Sequence, residues 1–148
     1  MIFENLEKKR KKIGALSLAL IDPDFKNDKK LLQIIKNINR SNFDAILVGG
    51  SNIEDDNFKI RLKTINSNTN LPIILFPGSS SQISSDADAI LFTSLLSGRN
   101  VKYLIEEQVK ASKSIHKYDL ETIPTGYLLF LTDKKSSVQK ISGTSPLK

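Results

Sequence analysis

The sequence predicts an α/β fold in which a parallel sheet is covered by helices, on three observations. Short runs that are apolar on both faces recur along the chain. Most are followed by a segment whose apolar residues repeat at helical spacing. Each run stops at small, polar or proline residues that suit a turn. Strands buried on both faces belong to parallel sheets, because crossover helices cover both sides or close the sheet into a barrel.

Leu16-Ser17-Leu18-Ala19-Leu20-Ile21 reads as the first strand, ended by Asp22-Pro23-Asp24, where proline removes a ladder donor. Asp28 is the expected N-cap of a helix whose stripe is Leu31, Leu32, Ile34, Ile35 and Ile38, closed by Asn39-Arg40-Ser41-Asn42. Asp44-Ala45-Ile46-Leu47-Val48 is the second strand, stopped by Gly49-Gly50-Ser51, and a weaker helical pattern follows from Asn57 to Ile65. Pro72-Ile73-Ile74-Leu75-Phe76 is the third, closed by Pro77-Gly78 and three serines. Ala87 to Phe92 is the fourth, Val101 to Ile115 the helix after it, and Glu121 to Leu131 the last. Repeated βα units of this kind occur both in an open doubly wound sheet and in an eight-stranded TIM barrel, and five strands do not separate the two.

The 148 residues carry no cysteine, which removes disulfide frameworks, thiolate zinc sites and cysteine nucleophiles. The single His116 leaves no histidine cluster, and its place near a helix end suits a C-terminal cation. No apolar run reaches the ~18 residues of a membrane span, and the Met1-Ile2-Phe3-Glu4 opening does not resemble a signal peptide. A cytoplasmic location is the expectation. The net charge of +6 sits at the ends, with +3 in residues 1–12 and +3 in residues 131–148. Lys8-Lys9-Arg10-Lys11-Lys12 could attract a polyanion, yet Glu4 and Glu7 precede it, the order that the dipole of a solvated helix prefers. Without an RNA-binding aromatic signature or helix-turn-helix pattern, a nucleic-acid partner is not expected.

Active sites of α/β proteins gather at the carboxyl ends of the strands. Asp22 and Ser51 supply a carboxylate and a hydroxyl at neighbouring strand ends, oxygen donors that suit Mg²⁺ and a phosphorylated ligand. The alternative is that Asp22 caps the turn before Pro23 and Ser51 caps the next helix. Gly49-Gly50 permits close backbone approach, with amides that could hold an anion. Neither a Walker A nor a Gly-x-Gly-x-x-Gly pattern occurs.

Five ordered blocks resemble one family, the geranylgeranylglyceryl phosphate and heptaprenylglyceryl phosphate synthases, or PcrB-like prenyltransferases. They are Leu20-Ile21-Asp22-Pro23-Asp24; Ile46-Leu47-Val48-Gly49-Gly50-Ser51; Pro72 to Gly78; Ala87 to Phe92 with Ser94 to Asn100; and Glu121 to Leu129. The resemblance implies a TIM-barrel enzyme that joins the C3 hydroxyl of sn-glycerol 1-phosphate to a polyprenyl diphosphate with Mg²⁺, releasing pyrophosphate and making an ether-lipid precursor. It assigns Asp22 and Ser51 to the metal. Asp24, Gly49, Gly50, Gly126 and Tyr127 are the substrate-binding candidates. The lysine that the family often carries directly after Asp-Pro-Asp is Phe25 here, and Lys26 follows it.

The expected organisation is a basic helix at 1–12, a partial barrel at 13–131 and a loop segment at 132–148. A whole barrel takes ~250 residues and commonly builds its phosphate site from the seventh and eighth strands. The 148-residue chain is therefore expected to hold about the first five βα units and to be inactive alone. Its open sheet edges invite pairing with another chain, including a second copy that completes the enclosure. The competing reading is a non-enzymatic α/β module that binds polyanions through its basic ends.

Overall fold

The computed structural model describes residues 1–51, 53, 55–131 and 136–148. Five strands, β1 (Leu18–Ile21), β2 (Ala45–Val48), β3 (Ile73–Leu75), β4 (Ala89–Leu95) and β5 (Glu121–Tyr127), form one all-parallel sheet in the order β1-β2-β3-β4-β5. The order of strands never reverses. A doubly wound sheet has a reversal and helices on both faces, whereas here one face takes all three crossover helices. The two alternatives left open by the strand pattern are thereby separated: these are five βα units of TIM-barrel type.

Helices α2 (Leu31–Asn39), α3 (Phe58–Asn66) and α4 (Glu107–Lys117) cover the outer face. Their Leu31, Ile35, Ile38, Phe58, Leu62, Ile65, Ala111 and Ile115 pack with Ile21, Ile46, Val48, Ile73, Leu75 and Ile90 of the strands in one core. The inner face carries a smaller cluster, Ala45, Ile74, Ala89 and Ile123, against which Ile2 and Leu6 of α1 (Ile2–Ile13) pack. Strand β1 lies at the sheet edge, and its inner-face Leu18 and Leu20 are exposed, unlike buried Ala45 beside them.

Helix α1 is anchored by charge at both ends. The backbone N–H groups of Ile2 and Phe3 donate to the Glu121 carboxylate, a favourable anion at a helix N-terminus. Further along, Lys9 pairs with Asp44 at 2.6 Å, and Asp44 also accepts from the Ser17 N–H. Lys9 first and then Ser17 hold Asp44 below the usual carboxylate range. Three cations of the basic run are engaged in this way, since Lys8 pairs with Glu4 and Arg10 with Glu7. Gly14, with φ of 91°, ends the helix in a conformation that side chains disfavour.

Several local expectations differ from what forms. Asp28 does not cap α2: a 3-10 turn, Phe25–Lys30, precedes the helix, and the Asp28 carboxylate instead meets Arg61. Strand β4 runs past the expected end at Phe92 to Leu95 because it pairs with β5 over the whole length of both, while β5 ends at Tyr127, short of the expected Leu131. The helix expected over 101–115 opens as a π-turn, Lys102–Glu106. There the Leu104 carbonyl accepts from the Ser94 hydroxyl, and the Tyr103 carbonyl from the Gln108 amide, so side chains enter the ladder and widen it. Within 132–148, residues 132–135 lie outside the described residues. The rest contains α5 (Ser137–Ser142), capped by Ser136, and Leu147 in a parallel bridge with Phe130.

Replacing the Glu121 carboxylate should loosen α1 without disturbing the outer core. Glu121→Gln is expected to lower stability by about 1 kcal/mol and to speed amide exchange in residues 3–8, with α3 unchanged. Unchanged exchange in α1 would show that its apolar contacts alone hold it.

Candidate functional site

Three loops converge beyond the carboxyl ends of β1, β2 and β3, and glycine is what lets them meet. A Cβ on Gly49 would stand 1.9 Å from the Phe76 carbonyl oxygen, and one on Gly78 would stand 2.3 Å from the Gly50 carbonyl oxygen. A Cβ on Gly50 would stand 2.5 Å from Asp22 Oδ1. The second loop therefore lies directly against the aspartate that follows β1. The amides expected to hold an anion are used within the fold: Gly49 N–H donates to the Ile21 carbonyl and Gly50 N–H to Gln82 Oε1. The two glycines contribute close approach rather than free donors.

Buried Gln82 is the residue that sequence reasoning missed here. Its Oε1 accepts from Gly50 and from Gly78, and its Nε2 donates to the Gly50 carbonyl at 2.8 Å. One side-chain amide thus joins the second loop to the third. A lone glutamine in a serine-rich stretch carries no pattern that announces this.

Asp22 has two different oxygens. Oδ2 pairs with Lys26 Nζ at 3.2 Å, whereas Oδ1 is buried and has no hydrogen-bond partner. A buried acceptor of this kind normally carries a partner. Ser51 lines the same cavity as Asp22, Gly49 and Gly50. Among the described residues no group of three His, Cys, Asp or Glu side chains converges. An ion here would have one carboxylate and a hydroxyl from the protein, with water and ligand oxygens for the remainder. That donor set fits Mg²⁺, which keeps much of its water shell, better than Ca²⁺ or Zn²⁺.

The cavity has a volume of about 310 Å³ and runs from this polar corner along apolar walls that include Phe76, Leu91, Phe92, Leu95 and Tyr127. The Phe76 and Tyr127 rings meet edge to face at 5.7 Å. Of the remaining candidates, Gly126 sits where a Cβ would stand 2.7 Å from Leu96, so it serves packing. Asp24 is buried, accepts from the Lys26 N–H to cap the 3-10 turn, and does not line the cavity. Glu107 anchors the third loop by accepting from the Ser80 N–H at 2.6 Å. Burial pushes the Glu107 carboxyl up, but Ser80 with Lys110 and Lys102 brings it below its ordinary value.

Behind the corner lies a buried arginine. Arg61 of α3 pairs with Asp28 and Asp55 and donates to the Pro23 carbonyl. Arg61 first, then the Asn57 N–H, lowers Asp55 to about 2, and Arg61 also lowers Asp28. Arg61 itself is raised, by Asp28 and then Asp55. Carboxylates whose folded pKa is depressed stabilise the fold above their unfolded pKa and lose that contribution as pH falls through the folded value. The difference in urea midpoint between wild type and Arg61→Met should therefore be constant at neutral pH and shrink as pH drops from about 4 toward about 2. A difference that grows on acidification would contradict the pairing.

Comparison with known proteins identifies the family and the fold. A family model described as the PcrB family matches residues 7–145. A geranylgeranylglyceryl phosphate synthase of Flavobacterium johnsoniae is 45% identical over 138 residues, covering 93% of this chain and 57% of the relative. One from Methanosphaera stadtmanae is 40% identical over 129 residues, 87% of this chain and 53% of its own length. Among solved structures, (S)-3-O-geranylgeranylglyceryl phosphate synthase from Thermoplasma acidophilum, in complex with its substrate sn-glycerol-1-phosphate, superposes with a TM-score of 0.83 at 33% identity. That match covers 94% of this chain and 56% of the other. The Thermoplasma volcanium enzyme gives 0.79 at 37% identity, over 89% and 53%. This chain thus spans little more than half the length of the relatives it matches. With a family model over residues 7–145, ordered sequence identity and a shared fold all in agreement, the chain belongs to the PcrB family.

Proposed function

We propose that this chain carries the metal and diphosphate corner of a prenyltransferase that joins sn-glycerol 1-phosphate to geranylgeranyl or a longer polyprenyl diphosphate. The observation that carries the reading is Asp22 Oδ1, a buried carboxylate oxygen without a partner at the polar end of an apolar cavity. Asp22 and Ser51 would hold Mg²⁺, whose charge when bound offsets that developing on a diphosphate leaving group. The apolar walls supply the other half of the substrate's chemistry. Burying a hydrocarbon tail there is favourable by ~25 cal/mol per Å². The overall transfer forms a carbon–oxygen bond between the glycerol C3 hydroxyl and the allylic carbon, breaks the allylic bond to diphosphate and releases a proton and pyrophosphate.

The glycerol phosphate needs a separate anion site. In barrels of this type that site is commonly built by the loops after the seventh and eighth strands, while this sheet has five. Where those loops are missing the hydroxyl would not be positioned, and positioning can supply ~7–11 kcal/mol of the barrier. A cytoplasmic reaction is part of the same proposal; separately, no helix among the described residues is long and apolar enough to cross a membrane. Against the polyanion-binding alternative, Lys8, Lys9 and Arg10 of the basic run are engaged in ion pairs.

Two measurements test the reading. In calorimetry with magnesium and inorganic pyrophosphate, wild type should bind and the nearly isosteric Asp22→Asn should bind at least tenfold more weakly, with its circular dichroism unchanged. Equal binding would remove Asp22 from the site. Incubated with Mg²⁺, labelled sn-glycerol 1-phosphate and geranylgeranyl diphosphate, the 148-residue chain should leave no label in the organic phase. Robust Mg²⁺-dependent product would show that these five strands, alone or paired between copies, already hold the glycerol phosphate.

A further inference from the structure

The Arg61 guanidinium uses all of its donors, and it distributes them over the two loops that carry Asp22 and Ser51. Nε donates to Asp28 Oδ1, and one terminal nitrogen donates to Asp28 Oδ2 at 2.8 Å and to Asp55 Oδ2 at 2.7 Å. The other donates to Asp55 Oδ1 at 2.6 Å and to the Pro23 carbonyl oxygen at 3.2 Å. Pro23 is the residue next to Asp22, and Asp28 lies in the 3-10 turn that follows. Asp55 lies four residues beyond Ser51. Arg61 comes from α3, a rigid element packed into the outer core through Phe58, Leu62 and Ile65.

A purely stabilising role does not call for this arrangement. Desolvating the guanidinium offsets much of the Coulomb gain of its pairs, so their net contribution to stability is modest even though removing Arg61 alone would leave two carboxylates unpaired. What a planar five-donor fork supplies instead is geometry: two bidentate carboxylates and one carbonyl held in a single plane. A lysine ammonium offers three donors from one point and cannot reproduce it. Arg61 is also buried, so it is not available to touch a ligand directly.

We infer that Arg61 is a positioning residue that sets Asp22 and Ser51 relative to one another, with Asp28 and Asp55 as its two handles. The inference rests on the proposed metal and diphosphate corner and adds a residue that reaches no ligand yet controls how tightly that corner binds. Outer partners of metal ligands typically alter affinity by about 10- to 100-fold, and a similar loss is expected here.

The test compares wild type, Arg61→Lys and the milder Asp55→Asn with a core control, Ile115→Val, in α4 away from the clamp. Amide exchange is read at Lys26, Asn27, Gly50 and Ser51, and affinity for magnesium with inorganic pyrophosphate is read by calorimetry. Arg61→Lys should exchange faster in both loops and bind about 10- to 100-fold more weakly, while Ile115→Val binds as wild type. Asp55→Asn should loosen Gly50 and Ser51 more than Lys26 and Asn27, and it serves as the test if Arg61→Lys does not fold. Folded clamp variants with wild-type exchange and wild-type affinity would overturn the inference. A wild-type chain that binds nothing would overturn the reading of the corner instead, and unchanged loop exchange would still overturn the clamp.

Discussion

The carboxyl ends of β1, β2 and β3 can converge only where side chains are missing. The loop after β2 lies between its two neighbours, with Gly49 against the Phe76 carbonyl, Gly50 against Asp22 Oδ1 and the Gly50 carbonyl against Gly78. Backbone packed on backbone at Gly49 and Gly78 leaves little room for adjustment, and Gly50, held by them, lies against Asp22 Oδ1 and covers that oxygen. That burial strips one carboxylate oxygen of protein and solvent partners together. A buried oxygen without a partner carries a desolvation cost that a cation would offset. Gln82 holds the same junction from the side by spanning Gly50 and Gly78.

The sheet gives this corner a fixed frame and the cavity its walls. Its outer face is a continuous core with α2, α3 and α4, while its inner face has α1 at the amino ends of the strands. The charged contacts of α1, to Glu121 and Asp44, lie at strand beginnings, so the helix covers the end of the sheet remote from Asp22. The other end stays open and partly apolar. Polar chemistry and a hydrocarbon-lined hollow therefore share one mouth, an arrangement suited to an amphiphile with a charged head.

Much of this was legible in the sequence. Apolar runs marked β1 to β4, whereas β5 (Glu121–Tyr127) is mostly polar or small residues and the apolar stretch that suggested it, Tyr127 to Leu131, lies largely beyond it; the residues that stop the earlier runs included Asp22 and Ser51. What escaped reading depends on distant partners. Arg61 meets an aspartate 33 positions earlier, and no periodicity encodes that pairing; the same aspartate looked like a helix cap because its local context is that of one. Gly49 and Gly50 were correctly sites of close approach, but which atoms approach, and that their amides are already engaged, is a tertiary fact. The extension of β4 through Thr93 and Ser94 likewise follows from pairing with β5 and not from local composition.

Relaxation broadening by Mn²⁺ in the presence of inorganic pyrophosphate, read amide by amide on the isotopically labelled chain, locates a bound cation without requiring turnover. Binding at the corner should broaden Ile21, Asp22, Gly50, Ser51 and Gly78 at substoichiometric metal while α1 and the amino ends of the strands stay sharp. Broadening centred on any other part of the chain, or spread evenly over its exposed carboxylates, would contradict a metal site built on Asp22 and Ser51.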